Sequence, residues 1–120
     1  MRYSGINKKG LHSKRKELYN NVLRLACVHF EKEMPAHLES CLFAGPGTKH
    51  PVMLCTFLHA LKELTGLSIR LILITGYGIS TMDAQYADKR WRNYYKSHKE
   101  LQKDVAIICM LVREKYCIKP

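Results

Sequence analysis

Leu67-Ser-Ile-Arg-Leu-Ile-Leu-Ile-Thr75 is the stretch on which the fold class turns. Its isoleucines and short length suit a buried strand ended by Gly76-Tyr-Gly78, yet a lone strand leaves its backbone N–H and C=O groups without partners. The segment therefore needs a strand to pair with, or must itself be helical. Val105–Val112 is the other run with strand-forming character, and there the pattern favours a helix. Leu101, Val105, Ile108, Val112 and Tyr116 recur at helical intervals, behind the capping-box pattern Ser97-His-Lys-Glu100. The expected class is therefore mainly α, a compact bundle of about five helices, with a short β segment at 68–75 left open as a hairpin or as pairing between molecules.

Working outward toward the N-terminus, Pro51 suits the first turn of a helix through Val52, Cys55, Leu58, His59, Leu61 and Leu64, with Gly66 as its left-handed cap. Ala44-Gly-Pro-Gly-Thr-Lys-His-Pro51 is the clearest loop. Before it, Pro35 opens a short helix with Leu38, Cys41 and Leu42 inside. A longer helix is expected from about Ser13 to about Glu33, its inner side formed by Leu18, Val22, Leu25, Ala26 and His29 with Tyr19, Leu23 and Phe30 on the flank. Glycines at 5 and 10 make the first dozen residues a poor element, so the expected organisation is a flexible basic arm over 1–12 and one compact helical domain over 13–120.

Toward the C-terminus, Ser80-Thr-Met-Asp83 reads as a capping pattern ahead of a helix to about Lys96. Its face through Met82, Tyr86, Lys89 or Arg90, and Tyr94 is less apolar than those of the other helices, as expected of a partly exposed helix. That helix contains Lys89-Arg-Trp-Arg-Asn-Tyr-Tyr-Lys-Ser-His-Lys99, the most suggestive chemistry in the chain. Arg and Lys neutralise phosphates and release counterions, an Asn amide contacts base edges, and aromatic rings stack on unpaired bases. Lys89, Arg92, Lys96 and Lys99 fall within about 15 Å on a helix, with Arg90 and Asn93 on a neighbouring flank. Trp91 and Tyr95 are expected to anchor the helix, leaving Tyr94 as the exposed stacking ring.

The charge has the same address. The 120 residues hold 20 Lys and Arg against 10 Asp and Glu, a formal net charge of +10. Residues 1–20 carry a net +5, residues 21–66 are neutral, and the remaining +5 equals that of residues 89–103 alone. A focal excess of this kind points to a polyanionic partner. The expected function is nucleic-acid binding, to DNA or RNA, through Lys89, Arg90, Arg92, Asn93, Tyr94, Lys96, Lys99 and Lys103, assisted by Lys14, Arg15 and Lys16 near the N-terminus. The alternative is a protein-interaction or self-association domain in which 67–75 completes its burial against another copy or another protein.

Other classes find less support. With 47% hydrophobic residues the chain does not have the composition of a disordered segment, and its apolar runs fall far short of the roughly 18–20 residues that span a bilayer. The first 20 residues lack the apolar core of a secretory signal. Five cysteines, an odd number, favour reduced thiols in the nucleus or cytoplasm over a disulfide framework. His37-x-x-x-Cys41 and Cys55-x-x-x-His59 place zinc-ligand types one helical turn apart, but without the short Cys knuckle of common structural sites. The favoured reading is that both cysteines are small core residues, with the histidines exposed or bonded to backbone; no metal and no cofactor is expected. The glycine loops lack the lysine and length of a phosphate loop, and the lone loop histidine His50 has no catalytic neighbour in sequence, so no enzyme activity is expected.

Overall fold

The structure is a computed structural model that describes residues 8–116 and the side chains of residues 15–115. Its elements are α1 (Lys8–Phe30), α2 (Leu38–Ala44), a 3₁₀ turn (Gly45–Gly47), α3 (Pro51–Thr65), α4 (Ile69–Tyr77), α5 (Thr81–Ser97) and α6 (Leu101–Tyr116). No strand occurs among the described residues. The stretch that decides the class is α4, and the strand option for 68–75 is thereby corrected. Ser68 caps it by accepting the Leu71 amide at 3.2 Å, and Gly78 closes it in the left-handed conformation at φ 68°. As a helix the segment pairs its backbone within itself, the Leu71 and Ile72 amides going to the Ser68 side chain and carbonyl, and Ile69, Ile72 and Leu73 are buried within their own chain.

α3 is the central element. Each residue from Met53 to Leu61 is buried, and the helix touches α1, α4, α5 and α6. A helix apolar on all sides belongs in the middle of a bundle, where each large side chain contributes about 1.5–3 kcal/mol of burial. Its two buried polar side chains are satisfied within the helix. Thr56 donates its hydroxyl to the Val52 carbonyl at 2.8 Å, and His59 Nδ1–H donates to the Cys55 carbonyl at 2.9 Å. Pro51 occupies the first turn and Gly66, at φ 75°, closes the last, as the sequence predicts.

α1 packs on α3, α6 and α4, burying Tyr19, Val22, Leu23, Ala26 and Cys27, with Tyr19 stacked on Tyr77 of α4, while Leu18 and Leu25 are partly buried. His29, expected in the inner row, is only half-buried, and its Nε2–H donates to Asp104 Oδ1 at 2.7 Å, tying α1 to α6. The helix begins at Lys8, earlier than the expected Ser13, and stops at Phe30, earlier than Glu33. It stops because Glu31 turns left-handed at φ 54°, with the Lys32 amide returning to the Cys27 carbonyl at 2.9 Å. Residues 1–7 of the expected arm, and the side chains through Lys14, lie outside the described residues.

α5 and α6 are separated at residues 98–100. Ser97 ends α5 and does not cap α6, so the capping-box reading of Ser97-His-Lys-Glu100 is corrected. The chain instead makes a tight reversal in which the Leu101 amide donates to the His98 carbonyl at 3.0 Å. That reversal sets Lys99 in the turn just beyond α5, with Lys103 in the first turn of α6.

Candidate nucleic-acid interface

The inner face of α5 is made by Ala84, Ala87 and Trp91. Two alanines let the helix approach closely, and the indole then fills the space beyond them. Trp91 is fully buried and its Nε1–H donates to the Leu42 carbonyl of α2 at 3.0 Å, while the Cys55 thiol of α3 donates to the Trp91 carbonyl at 3.7 Å. One turn later Tyr95 stacks on His59 with ring centroids 3.8 Å apart and planes 19° apart. The anchoring expected of Trp91 and Tyr95 is therefore what these contacts supply.

Met82 and Tyr86, read as part of a less apolar and partly exposed face, are 80% and 68% exposed. The alanine row at 84 and 87 carries the inward phase, and small residues gave it too little hydrophobic weight to be read. Tyr94, expected to be the exposed ring, is half-buried: His98 stacks on it at 3.9 Å, and the His98 Nδ1–H donates to the Tyr94 carbonyl at 2.8 Å. Burial raises the Tyr94 phenol above its ordinary pKa. One face of its ring is already taken by an imidazole.

The cations remain outside. Lys89, Arg90, Arg92, Asn93, Lys96, Lys99 and Lys103 are all exposed. At 100° per residue Lys89, Asn93 and Lys96 form one row directly opposite Trp91, with Arg92 on one flank and Arg90 on the other. Arg92 is partly committed, since its Nε–H donates to Asp88 Oδ1 at 3.0 Å, an exposed pair one turn apart worth about 0.3–0.5 kcal/mol. Arg90 lies between Gly45 and Tyr86. Its Nε and Cζ sit 3.3 Å from where a Cβ on Gly45 would stand, and its Cζ lies 5.9 Å from the Tyr86 ring centroid. Gly45 is itself at φ +80°, so both its backbone and its missing side chain make room for the guanidinium.

Arg15 and Lys16 stand elsewhere. They line a hollow of about 200 Å³ with Glu39 of α2 and Thr75 and Tyr77 of α4, and no residue from 89–103 borders it. Arg15 and Lys16 and the α5 row therefore do not line one common hollow.

The cysteine and histidine pairs do not converge among the described residues, where no group of three or more His, Cys, Asp or Glu is placed to hold a metal. His37 is exposed ahead of α2 and Cys41 is half-buried, whereas Cys55 and His59 are buried between α3 and α5. Burial pushes the Cys55 thiol up to about 12 and the His59 imidazole down to about 4, and the neighbouring cations Lys62 and Arg92 push His59 the same way. Both side chains are neutral packing groups at neutral pH.

Tyr86 and Met82, exposed on the same side of α5 as the cationic row, were not singled out from the sequence; their spacing of four beside an alanine row was the available signal. No protein-family model, no curated protein and no solved structure matches this chain.

Proposed function

We propose that the domain binds nucleic acid through the outer face of α5, extended by Lys99 and Lys103. The observation that carries this reading is the row Lys89, Asn93, Lys96 on a helix whose opposite side is locked to the core by Trp91. A rigid helix holds the stems of its cations at fixed spacing, so little backbone freedom remains to be lost on binding. Lys89 and Lys96 are about 10 Å apart along the axis, a span suited to phosphates of one strand. Arg90 and Asn93 supply donors for bases, and the proposed compartment is the nucleus or cytoplasm.

The test is fluorescence anisotropy with DNA and RNA oligonucleotides between 50 and 200 mM salt. Four phosphate contacts to a single strand predict roughly a 50-fold loss of affinity over that range. Lys89→Glu with Lys96→Glu should abolish binding while leaving the helical circular-dichroism signal intact. Binding that ignores salt, or survives the double reversal, counts against the reading.

A second reading, self-association, finds support on α6, where Ile107, Met110 and Leu111 are exposed on one side. From 67–75 it retains Leu71, which is 39% exposed, whereas Ile69, Ile72 and Leu73 are covered by their own chain. A solution mass of twice the chain, reduced to one by Met110→Glu, would favour it.

A further inference from the structure

Tyr86 contributes almost nothing to the core, yet it is held in a defined setting. The inward side of α5 is complete with Ala84, Ala87 and Trp91, and Tyr86 leaves 68% of its surface to water on a face that, apart from Met82, is polar. Met82, one turn earlier on the same side, is 80% exposed. One turn later Arg90 reaches back over the ring, its Cζ 5.9 Å from the centroid, and is itself confined from behind by the Gly45 backbone. A cation held against a ring restrains that ring as well.

We infer that Tyr86 is a stacking platform for an unpaired base, so that the ligand of the α5 face is single-stranded nucleic acid; this rests on the nucleic-acid reading above. In a duplex the flat faces of the bases are covered by their neighbours, and only edges reach a protein surface. A tyrosine face is useful only where a base is already free or can be pulled from its stack. Lys89 stands about 4.5 Å further along the helix axis, Asn93 about 10.5 Å and Lys96 about 15 Å. A base on Tyr86 therefore starts a strand that runs along these side chains, with Lys89 and Lys96 meeting phosphates and Asn93 within reach of a second base. Stacking accepts any base, so the ring selects strandedness and leaves sequence to Arg90 and Asn93.

The experiment compares a single-stranded RNA, a single-stranded DNA and a duplex of equal length by anisotropy, at two salt concentrations, for wild type, Tyr86→Ala, Tyr86→Phe and Lys89→Gln/Lys96→Gln. Wild type is expected to prefer the single strands. Tyr86→Ala should weaken single-strand binding about tenfold or more with an unchanged salt slope, Tyr86→Phe should retain it, and the lysine pair should flatten the slope for all ligands. Tyr86 is exposed, so the thermal melt of Tyr86→Ala should match wild type. Salt-sensitive binding that Tyr86→Ala leaves unchanged, or weakens equally on duplex and single strands, overturns this inference alone. Binding to none of the three ligands, or binding that ignores salt, overturns the nucleic-acid reading and this inference with it.

Discussion

Lowering the pH from 7.5 to 5.0 sets a proton against the packing of His59, and the cost follows from its surroundings. The imidazole is 7% exposed, stacked on Tyr95, with Nδ1–H committed to the Cys55 carbonyl. A proton must therefore enter at Nε2. Burial depresses the folded-state pKa from 6.5 to about 4; Lys62 and Arg92 add to the depression, while the Cys55 carbonyl and Asp88 act against it. Because the unfolded chain takes up this proton first, the stability associated with a neutral His59 is complete above about pH 7.5. It falls as pH drops through 6.5 and stops falling below about 4. The expected loss is about 0.8 kcal/mol at pH 6 and about 2 kcal/mol at pH 5.

Urea denaturation followed at each pH, compared with His59→Phe, isolates this contribution from the carboxylates and the other histidines. Phenylalanine keeps a flat ring against Tyr95 and cannot be protonated. Wild type should lose about 2 kcal/mol more than the variant between pH 7.5 and 5.0. Equal losses, or a His59 proton resonance titrating with a midpoint above 6, would refute the reasoning.

Glu31 holds a left-handed backbone at φ 54°, so Glu31→Gly should raise stability by about 1 kcal/mol in the same denaturation assay. A Cβ on Gly76 would stand 2.5 Å from Cε2 of Tyr19, a ring only 2% exposed. Gly76→Ala should therefore destabilise by about 1–2 kcal/mol, overpacking exceeding the helix-propensity gain of about 1 kcal/mol. Among the described residues the buried Tyr77 hydroxyl has no hydrogen-bond partner, and burial raises its pKa well above the ordinary phenol value. Tyr77→Phe should leave the melting temperature unchanged or raise it, by up to about 1 kcal/mol of stability.

What was legible in the sequence was punctuation. Pro51 and Gly66 bracket α3, and Ser80, whose hydroxyl accepts the Asp83 amide at 3.3 Å, opens α5, all as residue chemistry predicts. The 67–75 segment resisted because an apolar run has no period by which to tell a strand from a buried helix. Its flanking cap residues, Ser68 and Gly78, carried the answer more clearly than its isoleucines. The cationic row on α5 was visible as composition. Its aromatic partner was not, because alanines at 84 and 87 define the buried face without announcing it, and that leaves Tyr86 outside while Tyr94 is half-buried. Gly45 and Arg90 meet across a sequence distance that no local pattern reports.

The single tryptophan of the chain lies directly behind the proposed binding face, sealed from water and hydrogen-bonded to α2. Its emission is thus a private signal of whether α5 is seated, blue-shifted while docked and red-shifted on release. A ligand on the far side of the helix leaves it dark to binding. Fluorophore-labelled ligand and intrinsic indole light can therefore be read from the same cuvette as two independent channels, one for occupancy and one for integrity, so a variant that loses its ligand is distinguished at once from one that has lost its fold.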